Sequence, residues 1–197
     1  MGLRYFSLAL LTEGLSDQWF LLPLIDRQVA ALESESAPGF DFGGTAPGSR
    51  FTVAPRDQVV VEAKSLLEHM DIVLIHHDHN ERNKVETVRA SLGSDAQRLV
   101  GIVPVRETEA WMLADAAALP TPTVQRSVRD LIRAPREVER VPDPKKALAD
   151  AFGPRHRPEY DFERLGERVS LTALQQIPAY ARWVGELRTA MEQLRFL

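Results

Sequence analysis

Residues 4–12 (RYFSLALLT) form a mostly apolar run rich in aromatic and branched side chains, which predicts a buried strand ended by Glu13-Gly14. Ser16 or Asp17 can then cap a helix to about residue 32, with Trp19, Phe20, Leu22, Leu24, Ile25, Val29 and Leu32 at helical spacing. Residues 34–50 hold four glycines and two prolines and read as a long loop, either a mobile lid or disordered. A short strand at 51–54 and a helix from Asp57 to Met70 follow. Residues 71–78 (DIVLIHHD) are the clearest strand, an apolar run stopping abruptly in polar residues, as buried parallel strands do. The pattern continues with a helix over 82–92, a strand over 98–105 and a helix over 107–118. This alternation predicts an α/β protein with a mostly parallel central sheet flanked by helices.

After Pro120 only helical patterns appear, over 124–138, 144–152 and 171–197, with a break at 153–158 (GPRHRP). The division is therefore an α/β core over 1–118 and a helical C-terminal part over 119–197 packed on the same sheet, one domain overall. The last helix carries a stripe of Trp183, Leu187, Met191 and Leu194, the pattern of a core-facing surface.

Composition changes this picture by exclusion. With 28 acidic and 24 basic residues in 197, a net charge of −4 excludes a binder that works by bulk positive charge. The chain has no cysteine, which removes disulfides, thiolate nucleophiles and cysteine zinc sites. Apolar runs are too short to cross a bilayer, and acidic residues arrive too early for a secretory leader, so a cytoplasmic protein without a membrane partner is expected.

Candidate chemistry follows from position. In an open parallel sheet, function gathers beyond the carboxyl ends of the strands. Glu13 follows the first strand, His77-Asp78-His79-Asn80-Glu81 the third, and Arg106-Glu107-Thr108-Glu109 the fourth. Three strands thus deliver carboxylates to one edge, where a hard divalent cation such as Mg²⁺ or Mn²⁺ would relieve their repulsion and act on a phosphoryl group. Each residue also has a plainer reading: Glu13 as a turn residue, Glu107 and Glu109 as acids favoured in the first turn of a helix. His76, His77 and His79 do not match a common zinc spacing, although a neutral histidine beside Asp78 can assist proton transfer. Asp143-Pro144-Lys145 reads first as a helix start, and Lys145 could also reach the acidic edge. Arg126, Arg129 and Arg133 fall at helical spacing and, with Arg155 and Arg157, could meet backbone phosphates; the alternative is a solvated face paired with Asp130, Glu137 and Glu139.

Glu13-Gly14 followed by Ser16-Asp17 and an apolar helix, with Asp78-x-Asn80 after a later strand, resembles the Toprim domain of topoisomerases, primases and the overcoming-lysogenization-defect family of nucleases. LLTEGLSD, RETEAWMLAD and DPKKAL resemble, more closely, a group of short bacterial Toprim-like proteins labelled domain of unknown function 4276. The resemblance implies a Toprim-like, Rossmann-like fold and Mg²⁺-dependent cleavage of DNA or RNA. It implies Glu13 as general acid/base or metal-linked residue, Asp78 as the first metal-binding Asp, Glu107 or Glu109 as an additional acid, and Lys145 near the scissile phosphate. Asn80 stands where a second Asp is usual; its amide oxygen can ligate a metal but supplies no charge, which argues against a two-metal site unless Glu81 compensates. The resemblance also implies an effector subunit of an anti-phage system beside an ATPase partner; the chain has nothing like a Walker loop, so an ATP-driven step would need another subunit. The alternatives are a non-catalytic Toprim-like subunit that binds phosphate, nucleic acid or an ATPase, and a phosphohydrolase of free nucleotides. A homo-oligomer is compatible with either.

Overall fold

A computed structural model describes residues 4–35, 39–50, 56–78 and 83–197. Four parallel strands form its sheet: β1 (Tyr5–Thr12), β2 (Asp41–Arg50), β3 (Ile72–His76) and β4 (Leu99–Ile102), in the order β2-β1-β3-β4. Between them run α1 (Leu15–Glu33), α2 (Arg56–Leu67) and α3 (Asn83–Ser91). The C-terminal part holds α4 (Thr108–Met112), α5 (Pro122–Leu131), α6 (Pro144–Phe152), α7 (Pro158–Arg168), α8 (Leu171–Leu174) and α9 (Pro178–Gln193). The layout is α/β and Rossmann-like, with an all-parallel sheet flanked by helices and a helical C-terminal part. Among the described residues no helix is long and apolar enough to cross a membrane.

The chain steps from β1 outward to β2, then reverses past β1 to β3 and β4. Under the right-handed crossover rule a reversal puts the connecting helices on the other face of the sheet. The packing follows this. Leu11, Val73, Ile75 and Leu99 face α2 and α3, through Val59, Ala63, Leu67, Val85 and Val88. Phe6, Leu8, Leu10, Leu74, Val100 and Ile102 face α1 and the C-terminal helices, sharing one core with Phe20, Leu24, Trp111, Tyr180 and Trp183. The α9 stripe of Trp183, Leu187 and Met191 is buried in that core. The reversal falls between β1 and β3, and the carboxyl ends of strands at such a switch point are where open α/β sheets bind ligands.

Several expectations are corrected. Residues 41–50, read as loop, form β2, paired with β1 from Tyr5↔Asp41 to Thr12↔Arg50. An edge strand needs ladder partners on one side only, so Pro47 is tolerated there. Gly48 is required by closeness: a Cβ would lie 2.6 Å from Leu11 Cδ2 and 3.0 Å from Leu10 O. Helix α1 pins the strand. Asp26 Oδ1 accepts bonds from Thr45 N at 2.8 Å and Thr45 Oγ1 at 2.6 Å, and Gln18 Nε2 donates to Gly48 O at 3.1 Å. The strand expected at 51–54 lies outside the described residues. Helix α7 begins at Pro158, inside the expected break, and the long final helix is two, α8 and α9. Residues 107–118 and 124–138 are shortened to α4 and α5, each followed by a 3-10 turn, Ala116–Ala118 and Pro135–Arg140.

Candidate functional site

Thr12, fully buried, ends β1 and donates from Oγ1 to Gly14 O at 2.9 Å, a tight turn that sends Glu13 out of the sheet. Gly14, and neither Ser16 nor Asp17, is the N-cap of α1. Asp17 lies at the third helical position, where its Oδ2 accepts from Gly14 N at 3.1 Å. That bond satisfies one of the otherwise open amides of the helix start, and the negative charge is favoured there.

Beside β1, strand β3 ends at His76, and His77 N donates to Ile102 O at 3.3 Å. The next residue, Asp78, donates its amide to Glu13 Oε2 at 3.4 Å, while Lys84 from α3 pairs with Glu13 Oε1. The Asp78 side chain is 37% exposed, yet its Oδ1 is buried with no hydrogen-bond partner among the described residues. Burial raises the Asp78 pKa to about 7, and the carboxylates of Asp17, Glu109, Glu13 and Glu107 push it in the same direction. A carboxyl group with four others near enough to raise its pKa, and with an oxygen left open, keeps its proton up to about pH 7 unless a cation takes the proton's place.

Helix α4 brings the other acids. Glu107 is its N-cap, and Glu107 Oε2 accepts from Lys145 N at 3.3 Å at the start of α6. Glu109 is buried, which excludes the solvated first-turn acid that its position alone suggested. Burial raises its pKa, aided by Asp17 and Glu107, against its own backbone N–H and the Lys145 charge. Lys145 therefore serves at a helix start capped by Asp143, whose Oδ1 accepts from Lys146 N at 2.8 Å, and also lends charge to the acidic edge.

His76 ties the two halves together. It is fully buried; Nε2 shares a 2.7 Å hydrogen bond with Thr108 Oγ1, Nδ1 lies 3.9 Å from Asp17 Oδ2, and Nε2 lies 3.9 Å from Asp78 Oδ1. Burial lowers its pKa, so the ring is neutral. Thr108→Val keeps the shape but leaves His76 Nε2 without its bond. We expect a loss of about 1–3 kcal/mol, read as a lower urea midpoint at unchanged slope.

The structure thus gathers Glu13, Asp78, Glu107, Glu109 and Lys145 with His76, and adds Asp17, Lys84 and Thr108. Asp17 was legible only as a cap. Lys84 carried no sequence signal, because its pairing with Glu13 depends on how α3 docks on the sheet. Asn80, with His79 and Glu81, lies outside the described residues. Among those residues no three His, Cys, Asp or Glu side chains converge tightly enough to enclose an ion by themselves. The arginines do not share one face: Arg126 and Arg129 are exposed on α5, whereas Arg133 lies beyond that helix, where its amide donates to Glu137 Oε2 at 3.2 Å. Arg155 belongs to the turn Gly153–Arg155, and Arg157 is the exposed N-cap of α7.

A family model described as a domain of unknown function (DUF4276) matches residues 12–188. The chain belongs to this family. The DUF4276 match takes in every residue of the site, from Glu13 in its second position to Lys145. Searches of curated proteins and of solved structures return no match.

Proposed function

We propose that this DUF4276 protein is a Toprim-like, Mg²⁺- or Mn²⁺-dependent nuclease that hydrolyses phosphodiesters of DNA or RNA. The observation that carries the reading is Asp78: a carboxyl with a buried unpartnered oxygen and a pKa near 7, at the sheet's switch point, facing four further carboxylates. The donor set suits a hard cation, which prefers carboxylate oxygen and completes its shell with water and substrate phosphate. Asp78 and Glu13, with Glu107 and Glu109, would hold it, and when bound it would supply charge for a phosphoryl group and acidify water.

The chain's own groups do the rest. Glu13, hydrogen-bonded to the Asp78 amide, is placed to take or return a proton. Neutral His76 fixes Thr108, and so the start of α4, against Asp78 without adding charge. Lys145 offsets negative charge on a bound phosphate. Arg126 and Arg129 offer a path for the backbone beside α6, since α5 packs on that helix. In this reading the protein is an effector subunit of an anti-phage system that works with an ATPase.

Purified protein incubated with DNA and with RNA, with Mg²⁺, Mn²⁺ or EDTA, tests this. Metal-dependent cleavage, reduced at least about 100-fold in Glu13→Gln with the fold intact by circular dichroism, is the expected outcome. Metal binding without turnover would favour the non-catalytic subunit. Turnover of free nucleotides alone would favour the phosphohydrolase.

A further inference from the structure

Lys84 stands on the first turn of α3, which packs on β4, and its ammonium reaches back to pair with Glu13 Oε1. The two side chains keep only 21% and 20% of their exposure, so the pair is sheltered without being sealed from water. Lys145 stands at the α4 side, where its backbone N–H donates to Glu107 Oε2 at 3.3 Å. The acidic edge thus has a cation at each end, and the one at Glu13 sits on an oxygen that a divalent ion would need.

An ammonium and a dication cannot share one carboxylate oxygen without repulsion, and a partly exposed ion pair holds weakly enough to be exchanged. We propose that Lys84 is a built-in counter-ion of Glu13: it occupies the carboxylate when no metal is bound, gives way to the divalent ion, and then faces the phosphate of the substrate. This rests on the metal-site reading above. Lys84 so acts with opposite sign on two observables. It opposes metal binding and favours cleavage, whereas a merely structural lysine would favour both.

The test is calorimetric titration with Mg²⁺ of the wild type, Lys84→Met, Lys84→Gln and Glu13→Gln at one ionic strength, with cleavage measured at saturating metal. Removing Lys84 is expected to tighten Mg²⁺ binding about tenfold, an effect of one nearby unit charge, and to lower kcat/KM about tenfold through KM. Thermal melts of both Lys84 variants identify the folded one to be used. Unchanged or weaker Mg²⁺ binding without Lys84, while Glu13→Gln loses it, overturns the exchange and leaves the metal site standing. Absence of Mg²⁺ binding in the wild type and in both Lys84 variants overturns the metal-site reading, and the exchange with it.

Discussion

Asp78→Asn is expected to make the metal-free protein more stable at pH 8 and to lose cleavage at least about 100-fold. The sign comes from proton linkage. The Asp78 carboxyl has an ordinary value of 3.8 and a folded value of about 7, so between those pH values the folded state binds the proton that the unfolded chain has released. Stability therefore falls as pH rises through that window, and the full penalty remains above it. The amide carries no charge at any pH and removes the penalty, while the Glu13 bond to the residue's backbone amide survives. Discounted for the exposed part of the side chain, the gain is about 1 kcal/mol, or about 2–4 °C in Tm. At pH 3, below the unfolded-state value, the two proteins should melt together. With Mg²⁺ at one hundred times its Kd the wild type gains about 2.7 kcal/mol, and the variant should gain far less. Scanning calorimetry at the two pH values, with and without metal, reads all of this. A variant less stable than the wild type at pH 8 that keeps its response to Mg²⁺ would remove Asp78 from the site.

Gly166→Ala is expected to be the most damaging small substitution away from the site. Gly166 is buried where α7 crosses α1, and an added Cβ would sit 2.2 Å from Phe20 O and 2.7 Å from Pro23 Cγ. The first of these is backbone and the second a proline ring within α1, so neither can swing aside. Arg27 fixes the contact further, donating to Gly166 O at 2.7 Å and Val169 O at 2.8 Å. Relief requires α7 to move off α1, opening the core around Phe20 and Leu165. Overpacking of this kind costs about 3 kcal/mol, or about 6–12 °C in Tm for a domain of this size. An unfolding free energy from urea titration within about 0.5 kcal/mol of the wild type would show that the α1–α7 packing is not as tight as described.

The legible parts of the chain are those in which local pattern and tertiary role agree. Residues 71–78 announce β3 because a strand covered on both faces must be apolar throughout, and Asp143-Pro144 announces α6 because cap and fixed φ act within one turn. Helix α7 was missed because only Phe162, Leu165 and Gly166 of its residues are buried, too narrow a stripe to stand out between charged residues. Strand β2 was missed because glycine and proline argue for loop; it exists because α1 supplies Asp26 and Gln18 and β1 supplies the ladder.

The sequence by itself determined which acids follow strands: Glu13 after β1, Asp78 after β3, Glu107 and Glu109 after β4. Alternating periodicities are local, and a parallel sheet forces every strand end onto one edge. Only the tertiary structure decided that β1 and β3 are neighbours, and so that Glu13 meets Asp78. The same holds for the burial of Glu109, the arrival of Lys84 and Lys145 from helices far along the chain, and the bond between His76 and Thr108. Strand order and helix docking are set by how faces pack across long sequence separations, and the charge that a carboxyl carries is set by what those faces bring beside it.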